Sequence, residues 1–322
     1  MEEVFEHRPL LDRDTLRALQ QRTNGPSAVR LVLHLGAIIG TSLLLIFWSP
    51  SVWISLGLMA ALSWMLSGVF APFHECVHRT AFTSRALNAL GAWPTGILFG
   101  MAPATYHAFH FEHHRFTQDA GRDPEIMVDP TVYSAWPPTK RGWLDLASGV
   151  PLLRLKFYAL RRFLRPQPTP GEIAAPWEPT GGKRRRLVWQ SWIVGGFWAA
   201  LVVVAVTVAP AVWWLLTAFV LAHVWQILWT ASEHTGLPLD GTILARTRTV
   251  RSNRFVRWWL WNMNYHAEHH AWPGIPWHQL PAAHALVAPH LDHSVSGYSA
   301  LHRNVYQQRN LPSGEDQIGS NA

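Results

Sequence analysis

Two long stretches of the chain, residues 31–73 and 187–232, contain no Asp, Glu, Lys or Arg. Each is more than forty residues long, roughly twice the ~20 apolar residues that one bilayer-crossing helix needs. Pro50 and Pro210 interrupt the two stretches near their middles, where each chain segment is expected to turn. The pattern predicts four membrane-spanning helices arranged as two hairpins. The predicted spans are about 31–48, 52–73, 187–208 and 212–232.

The segments outside the spans predict shorter elements. Residues 86–105 are apolar but broken by glycines and prolines, which favours an interfacial or re-entrant segment over a fifth span. Residues 143–164 mix apolar and basic positions and predict one amphipathic helix on the inner leaflet. The proline-rich residues 165–186 predict an irregular loop that ends at a basic membrane anchor. Trp258, Trp259 and Trp261 are expected at the membrane interface, and the tail from Leu311 is expected to be disordered.

Charge determines the predicted orientation. Only 15% of the 322 residues are charged, against about a quarter in ordinary soluble proteins. Of the 27 Lys and Arg residues, five precede the first span, fifteen lie between the hairpins and seven follow the second hairpin. Because positive charge marks the cytoplasmic side, both termini and the central segment are predicted to be cytoplasmic, as in a multi-pass protein of a bacterial inner membrane. Anionic lipid then explains the net charge of +7 without a nucleic acid partner.

The histidines are concentrated beside the predicted spans. Of 18 histidines, eight fall in one i,i+4 pair and two H-x-x-H-H groups, and side chains at this spacing share a helix face. Neutral imidazole is a common ligand of iron, zinc and copper. Eight imidazoles exceed what one ion takes, so two metal ions are predicted. The eight are His74, His78, His110, His113, His114, His266, His269 and His270.

Other metal chemistries are weaker interpretations. Cys76 is the single cysteine, which excludes an internal disulfide, a four-cysteine zinc site and a cysteine-ligated iron–sulfur cluster. The first group also spells H-E-x-x-H, the signature of zinc proteases, but an intramembrane protease would leave the other two groups without a role. A zinc or iron transporter would need more polar residues within its spans.

The histidine groups and their surroundings resemble the membrane fatty-acid desaturase superfamily. The matching motifs are H-E-C-V-H at 74–78, H-F-E-H-H at 110–114 and H-A-E-H-H at 266–270, with R-F-T-Q-D-A-G-R-D-P-E after the second. The resemblance implies an all-α fold, with a cytosolic helical cap above four transmembrane helices. It also implies that these three histidine motifs, the first, second and third histidine boxes, bind a non-haem di-iron centre. That centre uses O2 to remove hydrogens from an alkyl chain. Sister groups hydroxylate or ketolate with the same metal set.

The expected function is therefore that of a fatty acyl or lipid desaturase, with a lipid or carotenoid hydroxylase or ketolase as the alternative. The chain has no cysteine-ligated cluster, recognisable haem domain or G-x-G-x-x-G fingerprint, so a separate electron donor such as a ferredoxin or cytochrome is required. The basic residues 183–186 are candidates for its docking. Residues 1–30 are assigned to a cytosolic segment, 31–290 to the membrane domain and 291–322 to a C-terminal tail.

His234 is predicted to be a ninth ligand, although it belongs to no box. Eight imidazoles leave two irons with four each, below the six positions of octahedral iron. Related desaturases place a lone histidine at the end of the fourth span, and His234 matches that place. The carboxylates within and after the boxes are either partners of ligand N–H groups or solvated surface groups. These are Glu75, Glu112, Glu268, Asp123 and Glu125.

Overall fold

The computed structural model describes residues 7–48, 51–128, 134–167 and 177–308. These ranges are mainly helical, with one short parallel strand pair, β1 (Thr249–Val250) and β2 (Ser294–Val295). In chain order the helices are α1 (Arg13–Leu19), α2 (Gly25–Phe47), α3 (Val52–Gly68), α4 (Phe70–His78), α5 (Arg85–Phe99), α6 (Pro103–Phe116), α7 (Pro124–Val128), α8 (Lys140–Ala147), α9 (Val150–Arg162), α10 (Gly181–Thr207), α11 (Val212–His234), α12 (Arg254–Trp259), α13 (His266–Ala271), α14 (Leu280–Val287) and α15 (Tyr298–Gln307).

Four helical segments of the described ranges are long and apolar enough to cross a membrane: Gly25–Phe47, Val52–His78, Gly181–Thr207 and Val212–His234. The second consists of α3 and α4, which meet at Val69. Large apolar side chains such as Val32, Trp53 and Val206 are exposed on these helices, an arrangement that suits lipid rather than water. The prediction of four spanning helices is confirmed, and the protein is an integral membrane protein.

Helix α3 packs along α11 through small polar residues that meet tryptophans. The indole N–H groups of Trp225 and Trp229 donate to the Oγ atoms of Ser63 and Ser67, each over 3.3 Å. Small residues allow helices to approach closely within a bilayer, and hydrogen bonds of this kind join them where water is absent. The second span of the first hairpin and the second span of the second hairpin therefore lie side by side. They end at His78 and His234.

Two local features position the ends of the helices next to those histidines. Helix α4 ends at Arg79, which takes a left-handed conformation (φ 63°) and donates its backbone N–H to Cys76 O over 3.1 Å. Helix α5 ends at Gly100, also left-handed (φ 82°), and the chain turns into α6 at Pro103. Helix α5 has 15 residues, fewer than a span needs, in agreement with an interfacial segment.

Three expectations about local structure were wrong. Residues 143–164 form two helices, because Gly149 is left-handed (φ 74°) and so close to α11 that a Cβ there would lie 2.4 Å from the carbonyl carbon of His223. Residues 181–186 belong to α10, where Arg184 pairs with Glu178 over 2.7 Å. Trp259 and Trp261 are both buried rather than interfacial.

Part of the predicted loop, residues 168–176, and the tail from Leu311 lie outside the described residues. The predicted division at residues 30 and 290 stays a prediction. Helix α15 follows the second of these boundaries and packs against α11, with Val305 buried.

Candidate metal centre

All nine predicted ligands lie at or near the ends of four helices. His74 and His78 occupy α4, and the second box lies on the last two turns of α6. His234 is the last residue of α11, and the third box forms the short helix α13. The three motifs are therefore helical, as their i,i+3 and i,i+4 spacing predicted.

Five of these imidazoles form one cluster in which one nitrogen of each lies within 4.8 Å of the corresponding nitrogens of the others. The Nε2 atom of His110 is 2.9 Å from Nε2 of His78 and 3.0 Å from Nε2 of His114. His114 Nε2 is in turn 3.1 Å from Nε2 of His269. The members are His74, His78, His110, His114 and His269.

A second cluster brings together His113, His234 and His270, again with one nitrogen of each within 4.8 Å of the others. His266 belongs to neither group, but its Nε2 atom lies 2.8 Å from Nε2 of His234. The boxes thus do not correspond to one site each. The second box contributes to both clusters, as does the third.

The imidazoles of the second cluster are oriented by partners on their outer nitrogens. His113 Nδ1 donates to the carboxylate of Asp123 at 3.0 and 3.1 Å from its two oxygens. His234 Nδ1 donates to the carbonyl oxygen of Arg246 over 3.0 Å, and His270 Nδ1 lies 3.1 Å from Thr117 Oγ1. Outer hydrogen bonds of this kind fix the tautomer and the ring orientation of metal ligands. They leave the Nε2 atoms of all three rings for an ion.

The inner nitrogens have no satisfactory protein partners. The N–H of one imidazole can donate to only one acceptor, yet His110 Nε2 approaches two other ring nitrogens. Both nitrogens of His74 and the Nε2 atom of His270 are buried without a hydrogen-bond partner among the described residues. Buried polar atoms are normally paired, so convergent, unpaired nitrogens fit a bound cation.

Electrostatics outside the spans also favour neutral, ligating imidazoles. Burial lowers the pKa of each of four imidazoles well below the usual range, and neighbouring histidines lower it further: these are His110, His114, His269 and His270. At His269 the Glu75 carboxylate acts in the opposite direction. His113 differs. Burial alone would lower its pKa, but nearby carboxylates and its hydrogen bond to Asp123 raise the pKa to about 9. A metal ion must therefore displace a proton from this ring.

The box carboxylates have separate contacts. Glu75 is buried and accepts hydrogen bonds from Thr80 Oγ1 over 2.7 Å and from the backbone N–H of Trp277 over 3.2 Å. Glu268 is buried and pairs with His284 Nδ1. Neither is a solvated surface group, and both join the boxes to the segment that follows the third box. Glu112 is partly exposed and lies 3.7 Å from Arg115.

Two nearby contacts were missed from the sequence. Glu233 Oε1 lies 3.5 Å from His266 Nδ1, and its position beside His234 at the polar end of an apolar helix was an available signal. The backbone carbonyl that holds His234 had no sequence signal, because it belongs to Arg246 in a non-helical segment. Cys76 and His107 are outside both clusters of the described residues.

The class that fold and site define is an integral membrane protein with two adjacent, mostly buried histidine clusters next to the ends of two spanning helices. The family model described as "Fatty acid desaturase" matches residues 47–302. The chain therefore belongs to the fatty acid desaturase family, as its sequence motifs predicted.

Curated relatives give a finer comparison. The sphingolipid delta(4)-desaturase/C4-monooxygenase of Rattus norvegicus is 26% identical over 235 residues, which cover 68% of this chain and 61% of the relative. A sphingolipid delta(4)-desaturase of Oryza sativa subsp. japonica is 26% identical over 250 residues, which cover 76% of this chain and 67% of the relative. The matched region thus spans 61% to 67% of the length of these two relatives.

Proposed function

We propose that the protein is an O2-dependent lipid desaturase whose two histidine clusters hold two non-haem iron ions. The single observation that carries the proposal is the convergence of imidazole nitrogens in two adjacent clusters. In the first cluster five nitrogens lie within 4.8 Å of one another, whereas structural or catalytic zinc takes four ligands. An all-nitrogen set of this size suits iron with up to six positions.

The proposed division of labour follows the clusters. The first ion is held by His74, His78, His110, His114 and His269. The second is held by His113, His234, His266 and His270. When bound, the two irons supply the activation of O2 that removal of hydrogen from an unactivated alkyl chain requires. Burial favours the neutral form of most of these rings, and His113, whose pKa Asp123 raises, is the exception. The Asp123 side chain orients His113, and the backbone carbonyl of Arg246 orients His234.

A cavity beside this centre has the amphipathic character that a lipid needs. It has a volume of about 1130 Å³, and the apolar part of its wall includes Trp225 and Trp229 of α11. Trp229 precedes His234 by five residues, about 7.5 Å along a helix. Arg251 and Arg303 lie on the same wall, where their charge suits a polar headgroup. We propose that a lipid reaches the metal centre from this side.

The proposed orientation places the metal centre, both termini and the cap on the cytosolic side. All 27 basic residues lie outside the two predicted hairpin turns, which supports this orientation by the positive-inside rule. A bacterial inner membrane is the proposed location. Electrons come from a separate protein, because the chain's single cysteine cannot hold an iron–sulfur cluster of its own.

Hydroxylation is the second candidate, because one relative's name combines desaturase with monooxygenase activity. The two reactions are separated by mass spectrometry of lipids from cells that express the wild type or the His110→Ala variant. Desaturation gives a species two hydrogens lighter, while hydroxylation gives one that is one oxygen heavier. The proposal predicts the lighter, desaturated species, and only in the cells that express the wild type. A heavier product would favour the hydroxylase, and identical lipids in both cells would contradict both functions.

A further inference from the structure

A second cavity, separate from the one proposed to bind the lipid, is a shallow cleft of about 330 Å³ on the protein surface. Three arginines, Arg22, Arg79 and Arg85, line it together with His107, and no carboxylate is among its lining residues. Phe111 is its only large apolar wall residue. An acyl chain needs an apolar channel, so the cleft suits an anionic, polar occupant.

The cleft reaches the candidate metal centre directly. His78 lines it and is also a member of the first cluster. The Phe111 ring, 40% exposed, stacks on the His78 ring at 5.1 Å between centroids. His107 also stacks on the Phe111 ring, with 4.2 Å between the ring centroids. A molecule seated here would therefore lie against His78, a candidate ligand, and against the Phe111 ring that stacks on it.

The backbone at Arg79 gives a second indication that the charge matters. Arg79 is left-handed (φ 63°) at the C-terminal end of the α4 helix, a position that favours glycine. A Cβ in this conformation lies close to the following carbonyl oxygen, which destabilises any residue other than glycine there. The helix end would be more stable with glycine, and the arginine side chain instead contributes a positive charge to the cleft.

We propose that this cleft is the docking surface for an acidic, one-electron-carrying protein that reduces the metal centre. The inference rests on the proposed function. In desaturation, O2 takes two electrons and two protons from the substrate C–H bonds, two electrons from the donor and two protons from water, and yields two molecules of water. A one-electron carrier must therefore dock twice in each turnover, and the short path through Phe111 to His78 serves each transfer.

The test measures binding separately from turnover. The iron-loaded protein in lipid nanodiscs is titrated with two acidic probes, a plant-type [2Fe–2S] ferredoxin and the haem domain of cytochrome b5. At least one probe should bind, and its affinity should fall as salt rises because charged surfaces are screened. The double variant Arg79→Glu/Arg85→Glu should weaken that binding by about tenfold or more, since like charges then oppose the acidic probe.

Two further variants separate docking from folding and from net charge. Arg13→Glu/Arg154→Glu changes the net charge equally at exposed positions that do not line the cleft, and should alter the affinity by less than about twofold. Arg79→Gly should bind the probe more weakly although its thermal stability is equal or higher, because glycine suits the left-handed position. Equal weakening by both double variants, or no weakening by either, would overturn the proposal.

Chemical reduction distinguishes this inference from the proposed function. With dithionite replacing the protein donor, the wild type and Arg79→Glu/Arg85→Glu should form equal product in a single turnover. If dithionite-reduced wild type forms no product, the proposed function fails while the binding titration still reports on docking. If the variant instead raises the lipid KM and leaves probe binding unchanged, the cleft binds the substrate and the docking proposal is wrong.

Discussion

Replacement of His234 tests the metal centre at its least obvious residue. His234 ends the last spanning helix, and its Nδ1 atom is held by the Arg246 carbonyl at 3.0 Å. Its Nε2 atom faces His266 Nε2 at 2.8 Å and shares a cluster with His113 and His270. His234→Ala would therefore remove one of four converging imidazoles and leave the first cluster intact.

The expected loss of iron follows from that ligand count. Removal of a group that only orients a ligand weakens metal affinity by about 10–100-fold, and removal of a ligand should weaken it by about 100-fold or more. At free iron about tenfold above the dissociation constant, the occupancy of the second site should fall from about 0.9 to about 0.1. Total iron should then fall from about 1.8 to about 1.0 per protein, since the first site stays filled.

The assay is iron per folded protein, measured by inductively coupled plasma mass spectrometry after size-exclusion chromatography. His223→Ala is the matched control, because it removes a buried imidazole from the same helix and belongs to neither cluster among the described residues. His290→Ala is an exposed control. The ligand assignment would be refuted if His234→Ala kept all its iron, or if His223→Ala lost as much.

Two other substitutions test the surroundings of the centre. Asp123→Asn should weaken iron binding at the second site by about 10–100-fold, because a neutral amide orients the His113 ring less well than a carboxylate; titration against a competing chelator measures this, and unchanged affinity would contradict the role. Burial lowers the pKa of the Lys156 ammonium well below its usual value of 10.5, so the unfolded chain binds a proton more readily and stability should rise with pH below 10.5 by up to about 1.4 kcal/mol per pH unit. Lys156→Met should flatten this dependence and raise the thermal midpoint at pH 7; a variant that keeps the wild-type pH dependence would show that another group causes it.

The four spanning helices could be predicted from sequence because their cause is local. A stretch without charges must avoid water over its whole length, and a proline turn limits each crossing. The lengths were less predictable, because polar residues can extend a helix beyond the bilayer. Helix α10 begins at Gly181, six residues before the predicted span, and α11 continues to His234.

The candidate ligands were also visible in the sequence, because helical spacing places i, i+3 and i+4 side chains on one face. Their assignment to two clusters was not visible. His113 and His114 are adjacent in the chain but belong to different clusters. The same is true of His269 and His270. Successive residues point about 100° apart on a helix, so a box placed between two sites serves both.

The partners of the ligands depended on the tertiary structure. Asp123 was a candidate by its motif, but its contact with His113 required the turn after α6 to fold back. The carbonyl of Arg246 carries no side-chain identity and could not be selected in advance. The basic cleft likewise joins residues 22, 79, 85 and 107 from separate segments. Sequence determined the local hydrophobicity and spacing that form the helices and aim the imidazoles, whereas contacts between distant segments decided which nitrogens meet, because those contacts depend on how the helix ends pack together.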